Sequence, residues 1–268
     1  MIADQSVEID GRTLRYCLYG PADGFPVISH SGSPSTRWKR PDLIEAMQQS
    51  GVRVLMPDRP GYGGSTRQPG RTVADVVRDV RVLADAQGWQ RFAVLGGSGG
   101  GPHALACAAL LPRRVIRCAV LSGIKLPDAA EPPDEQALRS RFEQVARDIM
   151  ARIADGGPEV PGVPPGPPAR DDPAALARLR ATFVDSHDGW VDDTLAFARS
   201  WGFTMPDSTV PVGIWHGTHD ANVPPEHAQW LLAHISGSQG HQYTGGHLPG
   251  ADTYREIYGW LRCGALAP

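Results

Sequence analysis

The sequence predicts an α/β fold: a mainly parallel sheet flanked by helices and interrupted by an inserted helical segment. Three observations carry this reading. Short apolar runs of strand length alternate with amphipathic helical stretches, the rhythm of βαβ units. Several of these runs are apolar nearly throughout, as strands covered on both faces are. The chain has 268 residues, 41% hydrophobic and 21% charged, which suits one soluble domain with a full core.

The elements follow in order. Residues 13–19 (TLRYCLY) alternate as a half-buried strand does. Residues 26–30 (PVISH) and 53–57 (RVLMP) are short apolar runs that close in turn chemistry. Over 72–87, Val73, Val76, Val77, Val80, Leu83 and Ala84 share one helical face. Residues 92–96 (FAVLG) read as a buried strand, and 115–121 (VIRCAVL) as another. Between them, 101–111 is an Ala- and Leu-rich helix with Pro102 near its start, where the missing N–H costs little.

The rhythm then breaks. Residues 124–206 offer no core strand. Leu138, Phe142, Val145, Ile149 and Ile153 fall at helical spacing. The stretch 159–173 (EVPGVPPGPPARDDP) holds too many prolines for a helix or central strand. Short helices are predicted at 173–185 and 189–200. The alternation resumes with a strand at 210–216, a helix at 224–235, a strand at 239–244 and a helix at 250–262. The chain therefore divides into a core, 1–123 and 207–268, and a helical lid insertion, 124–206. Inserted between two sheet strands, the lid is expected over their carboxyl ends, where open α/β sheets bind ligands.

Composition narrows the function. The net charge is −3 without a basic stripe, which argues against nucleic acid as a partner. No apolar run reaches the length of a membrane span. The opening MIADQSVEIDG lacks a signal-peptide apolar region, so a cytoplasmic location is expected. Cys17, Cys107, Cys118 and Cys263 are widely spaced, which suits reduced thiols better than a disulfide or zinc framework. His216, His219 and His241 have no helical HxxxH or cysteine support, so no metal and no cofactor is expected.

The chemistry centres on FAVLGGSGGGPHALA at 92–106. It holds Gly96-Gly97-Ser98-Gly99-Gly100, a G-x-S-x-G pattern between a predicted strand and a predicted helix. Such a turn holds its serine in a strained conformation at a helix N-terminus, with small residues on either side to let strand and helix approach. A Walker loop would need a following Gly-Lys-Ser/Thr, which is absent. A serine hydroxyl needs a base, and the base an orienting acid. Asp220 follows an apolar strand in IWHGTHDANVP, and His247 lies in YTGGHLPG before the last helix. This gives the chain order Ser, Asp, His expected of the elbow. Asp128, after the preceding strand, is a rival acid. His103 reads as a helix residue.

These motifs together resemble the α/β-hydrolase family. The resemblance rests on HSGSP at 30–34, DRPGYGGS at 58–65, GGSGG at 96–100, HGTHD at 216–220 and GGH at 245–247. It implies an eight-stranded, mainly parallel sheet, a helical lid and a Ser98–His247–Asp220 triad. It also implies an oxyanion hole of two backbone N–H groups. One is Gly99; an extra residue between His30 and Gly32 leaves the other as either Gly32 or Ser33, of which Ser33 is preferred.

Candidate substrate contacts are Tyr62, in the glycine-rich loop, and Phe142, Trp190 and Trp201, in the lid; each has core packing as its competing role. The leading expectation is a cofactor-free serine hydrolase acting on a carboxylic ester or related acyl bond of a small, partly apolar substrate. The alternatives are a lyase, decarboxylase, cyclase or C–C bond hydrolase on the same fold, or a non-catalytic ligand-binding protein. Proline iminopeptidases share some likeness but usually carry Trp where this chain has Gly99. The sequence is compatible with a homodimer.

Overall fold

A computed structural model describes residues 4–127, 134–154, 173–205 and 209–263. Among them, eight strands form one sheet. They are β1 (Asp4–Ile9), β2 (Arg12–Tyr19), β3 (Phe25–His30), β4 (Val52–Pro57), β5 (Phe92–Gly97), β6 (Val115–Leu121), β7 (Val212–Gly217) and β8 (Gln239–Tyr243). Their spatial order is β1-β2-β4-β3-β5-β6-β7-β8. The pairs β1–β2 and β2–β4 are antiparallel, and every later pair is parallel. The helices are α1 (Pro41–Gln49), α2 (Val76–Ala86), α3 (Gly101–Leu110), α4 (Glu135–Ala154), α5 (Pro173–Thr182), α6 (Asp188–Phe197), α7 (Pro225–His234) and α8 (Ala251–Arg262).

The strand period of two sorts the core into two layers. On β5, Phe92 and Val94 face one layer while Ala93 and Leu95 face the other. On β6, Cys118 and Val120 join the first, and Ala119 and Leu121 the second. The first layer packs against α2, α3 and α7, the second against α1 and α8. Each Leu, Val or Phe so buried stabilises the fold by about 1.5–3 kcal/mol before conformational entropy is set against it.

Two elements lie outside the sequence reading. β1 pairs with β2 through a two-residue turn in which Asp10 (φ 51°) and Gly11 (φ 74°) both lie in the left-handed region. That is the geometry of a type I′ hairpin turn, for which Asp-Gly is a strong signal. Its charged residues conceal the strand, because β1 exposes or half-exposes five of its six positions. The other is α1, whose narrow apolar stripe comes from Leu43, Ala46 and Met47. The helix predicted from residue 72 begins at Val76 instead. Asp75 accepts hydrogen bonds from Thr72 N–H (2.6 Å) and Oγ1 (2.9 Å), and residues 72–75 turn rather than wind. Most of the proline-rich stretch 159–173, and Asp128, lie outside the described residues.

All four cysteines are free thiols. No helix among the described residues is long and apolar enough to cross a membrane. The carboxyl ends of β3, β4, β5, β7 and β8 deliver the segments that follow His30, Pro57, Gly97, Gly217 and Tyr243 to one edge of the sheet.

Candidate active site

At the end of β5 the chain turns through Ser98–Gly100, one 3-10 turn, into α3. Ser98 has φ 51°, the left-handed region that disfavours any side chain. The strain persists because the surroundings leave the backbone no room. A Cβ on Gly96 would stand 2.2 Å from Gly100 O, and one on Gly100 would stand 2.2 Å from His30 O. The loop after β3 lies against the elbow: a Cβ on Gly32 would come within 3.3 Å of Ser98 Cβ. His103, one helical turn on, points its Nδ1 at Gly99 O (3.0 Å) from a buried position. It is a helix residue of α3, as expected.

Asp220 and His247 meet at the ends of β7 and β8. His247 Nδ1 is 2.9 Å from Asp220 Oδ2, while Asp220 Oδ1 accepts from the N–H groups of Asn222 (2.9 Å) and Val223 (3.0 Å). Burial pushes the Asp220 carboxyl up. The Val223 N–H, the His247 ring and the Asn222 N–H outweigh it, so the group sits below its ordinary range and is ionised. An ionised carboxylate only accepts, so Nδ1 is the donor of this bond; in the neutral ring that leaves the lone pair on Nε2. Asp220's side chain is almost wholly enclosed, whereas His247 keeps 15% of its side chain exposed. The described hydrogen bond of the His247 ring goes to Asp220, and none joins it to Ser98. Catalytic hydrogen bonds of this kind are often open before substrate binds.

Tyr243 fixes the histidine loop from beneath. Its hydroxyl lies 2.9 Å from Gly246 O, 3.3 Å from His247 O and 3.1 Å from Ser122 Oγ. His219 N–H ties the acid loop to the base loop through Gly245 O (2.9 Å).

The expected oxyanion residues are neighbours. A Cβ on Gly99 would lie 2.8 Å from Ser33 Oγ and 3.1 Å from the Phe197 ring. Behind them lies a charged network that sequence reasoning missed. Asp193 of α6 is fully buried and accepts from Arg59 Nη2 (2.6 Å), Arg71 Nη2 (2.8 Å), Ser33 Oγ (2.5 Å) and Tyr62 OH (3.0 Å). Burial pushes its carboxyl up, but the Arg59 and Arg71 guanidiniums hold it well below the ordinary carboxylate range. The available signal was the Asp58-Arg59-Pro60-Gly61-Tyr62 run itself; its partner is 134 positions from Arg59 and shares no pattern with it.

The proposed substrate contacts lie as follows. Tyr62 is 1% exposed, and its hydroxyl is engaged by Asp193. Trp201 is equally enclosed, in the layer with Val73 and Val210, and its Nε1 donates to Phe197 O (3.3 Å). Both side chains are thus enclosed and hydrogen-bonded to the protein. Phe142 and Trp190 meet edge to face, their ring centres 5.7 Å apart, in a small cluster with Phe183. Phe197 is the aromatic nearest the Gly99 position. Of the remaining histidines, His241 stacks on Trp215, and His216 bonds Gln242. No group of three or more metal-capable side chains converges among the described residues.

Residues 25–156 match the sequence model of the α/β hydrolase fold. Over 142 residues the chain is 34% identical to epoxide hydrolase A of Mycobacterium tuberculosis (strain ATCC 25618 / H37Rv), covering 52% of this chain and 44% of that protein. This chain thus spans less than half the length of that relative. A broader match, 27% identical over 231 residues, is to the non-heme chloroperoxidase of Streptomyces lividans and covers 80% of this chain and 81% of the relative. Among solved structures, the enol-lactonase from Burkholderia xenovorans LB400 superposes with a TM-score of 0.72 at 22% identity, over 96% of this chain and 99% of that one. That likeness is one of fold.

Proposed function

This chain belongs to the α/β-hydrolase family of enzymes, and we propose that it is a cofactor-free serine hydrolase cleaving a carboxylic ester or related acyl bond of a small, partly apolar substrate. The observation that carries this reading is the strained Ser98 at φ 51° on the same sheet edge as the Asp220–His247 pair.

In this account Ser98 Oγ attacks the acyl carbon as its proton passes to His247 Nε2. The Gly99 and Ser33 N–H groups receive the oxyanion. The bond to the leaving oxygen breaks, and that oxygen takes the proton from His247. Water then gives a proton to His247 and its hydroxide to the acyl carbon. The acid leaves, and the proton returns to Ser98. Asp220 holds the imidazole in the tautomer this requires and stabilises its cation. A serine at the elbow, rather than an aspartate, favours acyl chemistry over epoxide opening, whatever the name of the 34%-identical relative.

The test is turnover of p-nitrophenyl esters of increasing chain length by wild type, Ser98→Ala and His247→Ala. The expected result is hydrolysis by wild type alone, best with short acyl chains. Turnover that survives Ser98→Ala would overturn the assignment of the nucleophile.

A further inference from the structure

Arg59 reaches in two directions at once. Its Nη1 donates to Ser31 O (2.6 Å), and its Nη2 to Gly32 O (3.1 Å) and Ser33 Oγ (2.7 Å). Its Nε and Nη2 also grip Asp193, at 3.1 and 2.6 Å to Oδ2. One guanidinium thus binds three consecutive residues of the loop after β3 and one carboxylate of the lid helix α6. Both side chains are enclosed, 4% and 0% exposed, so the pair is not a solvent-screened surface bridge.

The lid side of this contact is tight. A Cβ on Gly189 would stand 2.5 Å from Gly61 O, so α6 lies directly on the loop that carries Arg59. Arg71 adds a second tie, from its Nη2 to Asp193 Oδ1 (2.8 Å) and to Gly189 O (3.1 Å). Arg67 anchors α6 from outside, to Asp192 (2.8 and 2.9 Å) and Asp188 (3.0 Å), without touching the Ser31–Ser33 segment.

We infer that Arg59 and Asp193 are a positioning pair through which the docked lid helix sets the second oxyanion donor, Ser33, against the elbow. The inference rests on the serine-hydrolase reading above and extends it to a residue pair outside the reacting atoms. The physical reason is the fork of the guanidinium. It fixes the direction of two carbonyls and one hydroxyl in the segment whose N–H must aim at the oxyanion, and a lysine cannot do so. Aim matters because a donor acts only when it lies about 2.7–3.1 Å from the oxyanion position. The segment is otherwise held by Ser31 Oγ to Thr36 O (3.0 Å) and Lys39 Nζ to Ser31 Oγ (3.0 Å), both at its first residue. The lid therefore does more than cover the site: its seating completes it.

The test compares Arg59→Lys, Asp193→Asn, Asp193→Glu and Arg67→Ala with wild type. Three quantities are read: ester kcat and KM, thermal stability, and amide hydrogen exchange over residues 31–37. Arg59→Lys keeps the charge beside Asp193 but loses the fork. It is expected to lower kcat about 10- to 100-fold, less than the roughly 100- to 1,000-fold of losing one donor outright, with KM within about threefold, and to speed exchange in the segment. Asp193→Asn is expected to act in the same direction, with partial recovery in Asp193→Glu. Arg67→Ala, which loosens α6 from outside, is expected to keep kcat within about twofold. The inference is overturned if Arg59→Lys keeps wild-type kcat. It is also overturned if Arg59→Lys and Arg67→Ala lower kcat alike, in step with stability. The exchange result stands apart from catalysis. If wild type shows no Ser98-dependent turnover, the hydrolase reading falls on that measurement, and unchanged exchange in Arg59→Lys separately overturns the pair's hold on the loop.

Discussion

His247 Nδ1 and Asp220 Oδ2 stand 2.9 Å apart, although their loops follow different strands. The backbone makes the meeting firm. His219 N–H donates to Gly245 O, and a Cβ on Gly217 would stand 2.4 Å from Gly246 O. The pair is thus built into the packing of two adjacent loops rather than left to two free side chains.

Asp220→Asn tests what this pairing does. An amide can donate to Nδ1 and stabilise the opposite tautomer, which leaves Nε2 protonated and unable to accept from Ser98. The expected effect is a fall in kcat of roughly 1,000- to 10,000-fold with little change in KM. Circular dichroism should match wild type. A fall below about tenfold would mean that Asp220 is not the orienting acid.

Ser98→Gly should lose turnover without losing stability. Glycine relieves a left-handed conformation that costs other residues about 1–2 kcal/mol, set against about 0.5–1 kcal/mol of extra chain entropy. Denaturant melting should therefore find Ser98→Gly more stable than Ser98→Ala, which keeps the strain, by up to about 1.5 kcal/mol. The reverse order would show that the elbow stores no strain.

Gly99→Ala should abolish most activity while preserving the fold. The added methyl would meet Ser33 Oγ at 2.8 Å and Phe197 at 3.1 Å. Ser33 cannot retreat freely, because Asp193 and Arg59 hold its hydroxyl. The expected loss in kcat is about 100-fold, the scale of one misplaced oxyanion donor. Kinetics on the purified variant, beside a thermal melt, decide it.

Asp193 predicts an acid limit to stability. Arg59 and Arg71 depress its carboxyl in the folded state, so the unfolded chain binds the proton first as pH falls. The stability it contributes is complete above the unfolded value of about 4 and is lost as pH drops toward the depressed folded value. At neutral pH, Asp193→Asn should cost about 3–5 kcal/mol, because two guanidiniums are left buried without their anion. Urea melts from pH 7 to pH 3 should therefore show a shallower acid slope for the variant than for wild type. Equal slopes would remove Asp193 as a source of that dependence.

Much of this molecule was legible in the sequence, for a reason that varies by element. β5, β6 and β7 are apolar on both faces, so local pattern alone marks them. Ser98, Asp220 and His247 sit in short runs with their own turn chemistry, each readable where it stands. β1 escaped because an edge strand needs only one buried face and tolerates charge on the other. Asp193 escaped for a different reason. Its role exists only where α6 lies across the loop of Arg59, a contact that neither local sequence encodes. For Tyr62 and Trp201 the sequence leaves packing and binding open, because a lone aromatic carries the same local signal whether it packs or binds.

The most direct test of the central claim is labelling of the purified protein with a fluorophosphonate, followed by peptide mapping of the adduct. An activated serine should give one adduct, on Ser98, formed rapidly in wild type, lost in Ser98→Ala and strongly slowed in His247→Ala. A folded wild-type protein that stays unlabelled, or carries its label on another serine, would contradict the assignment of Ser98 as the nucleophile.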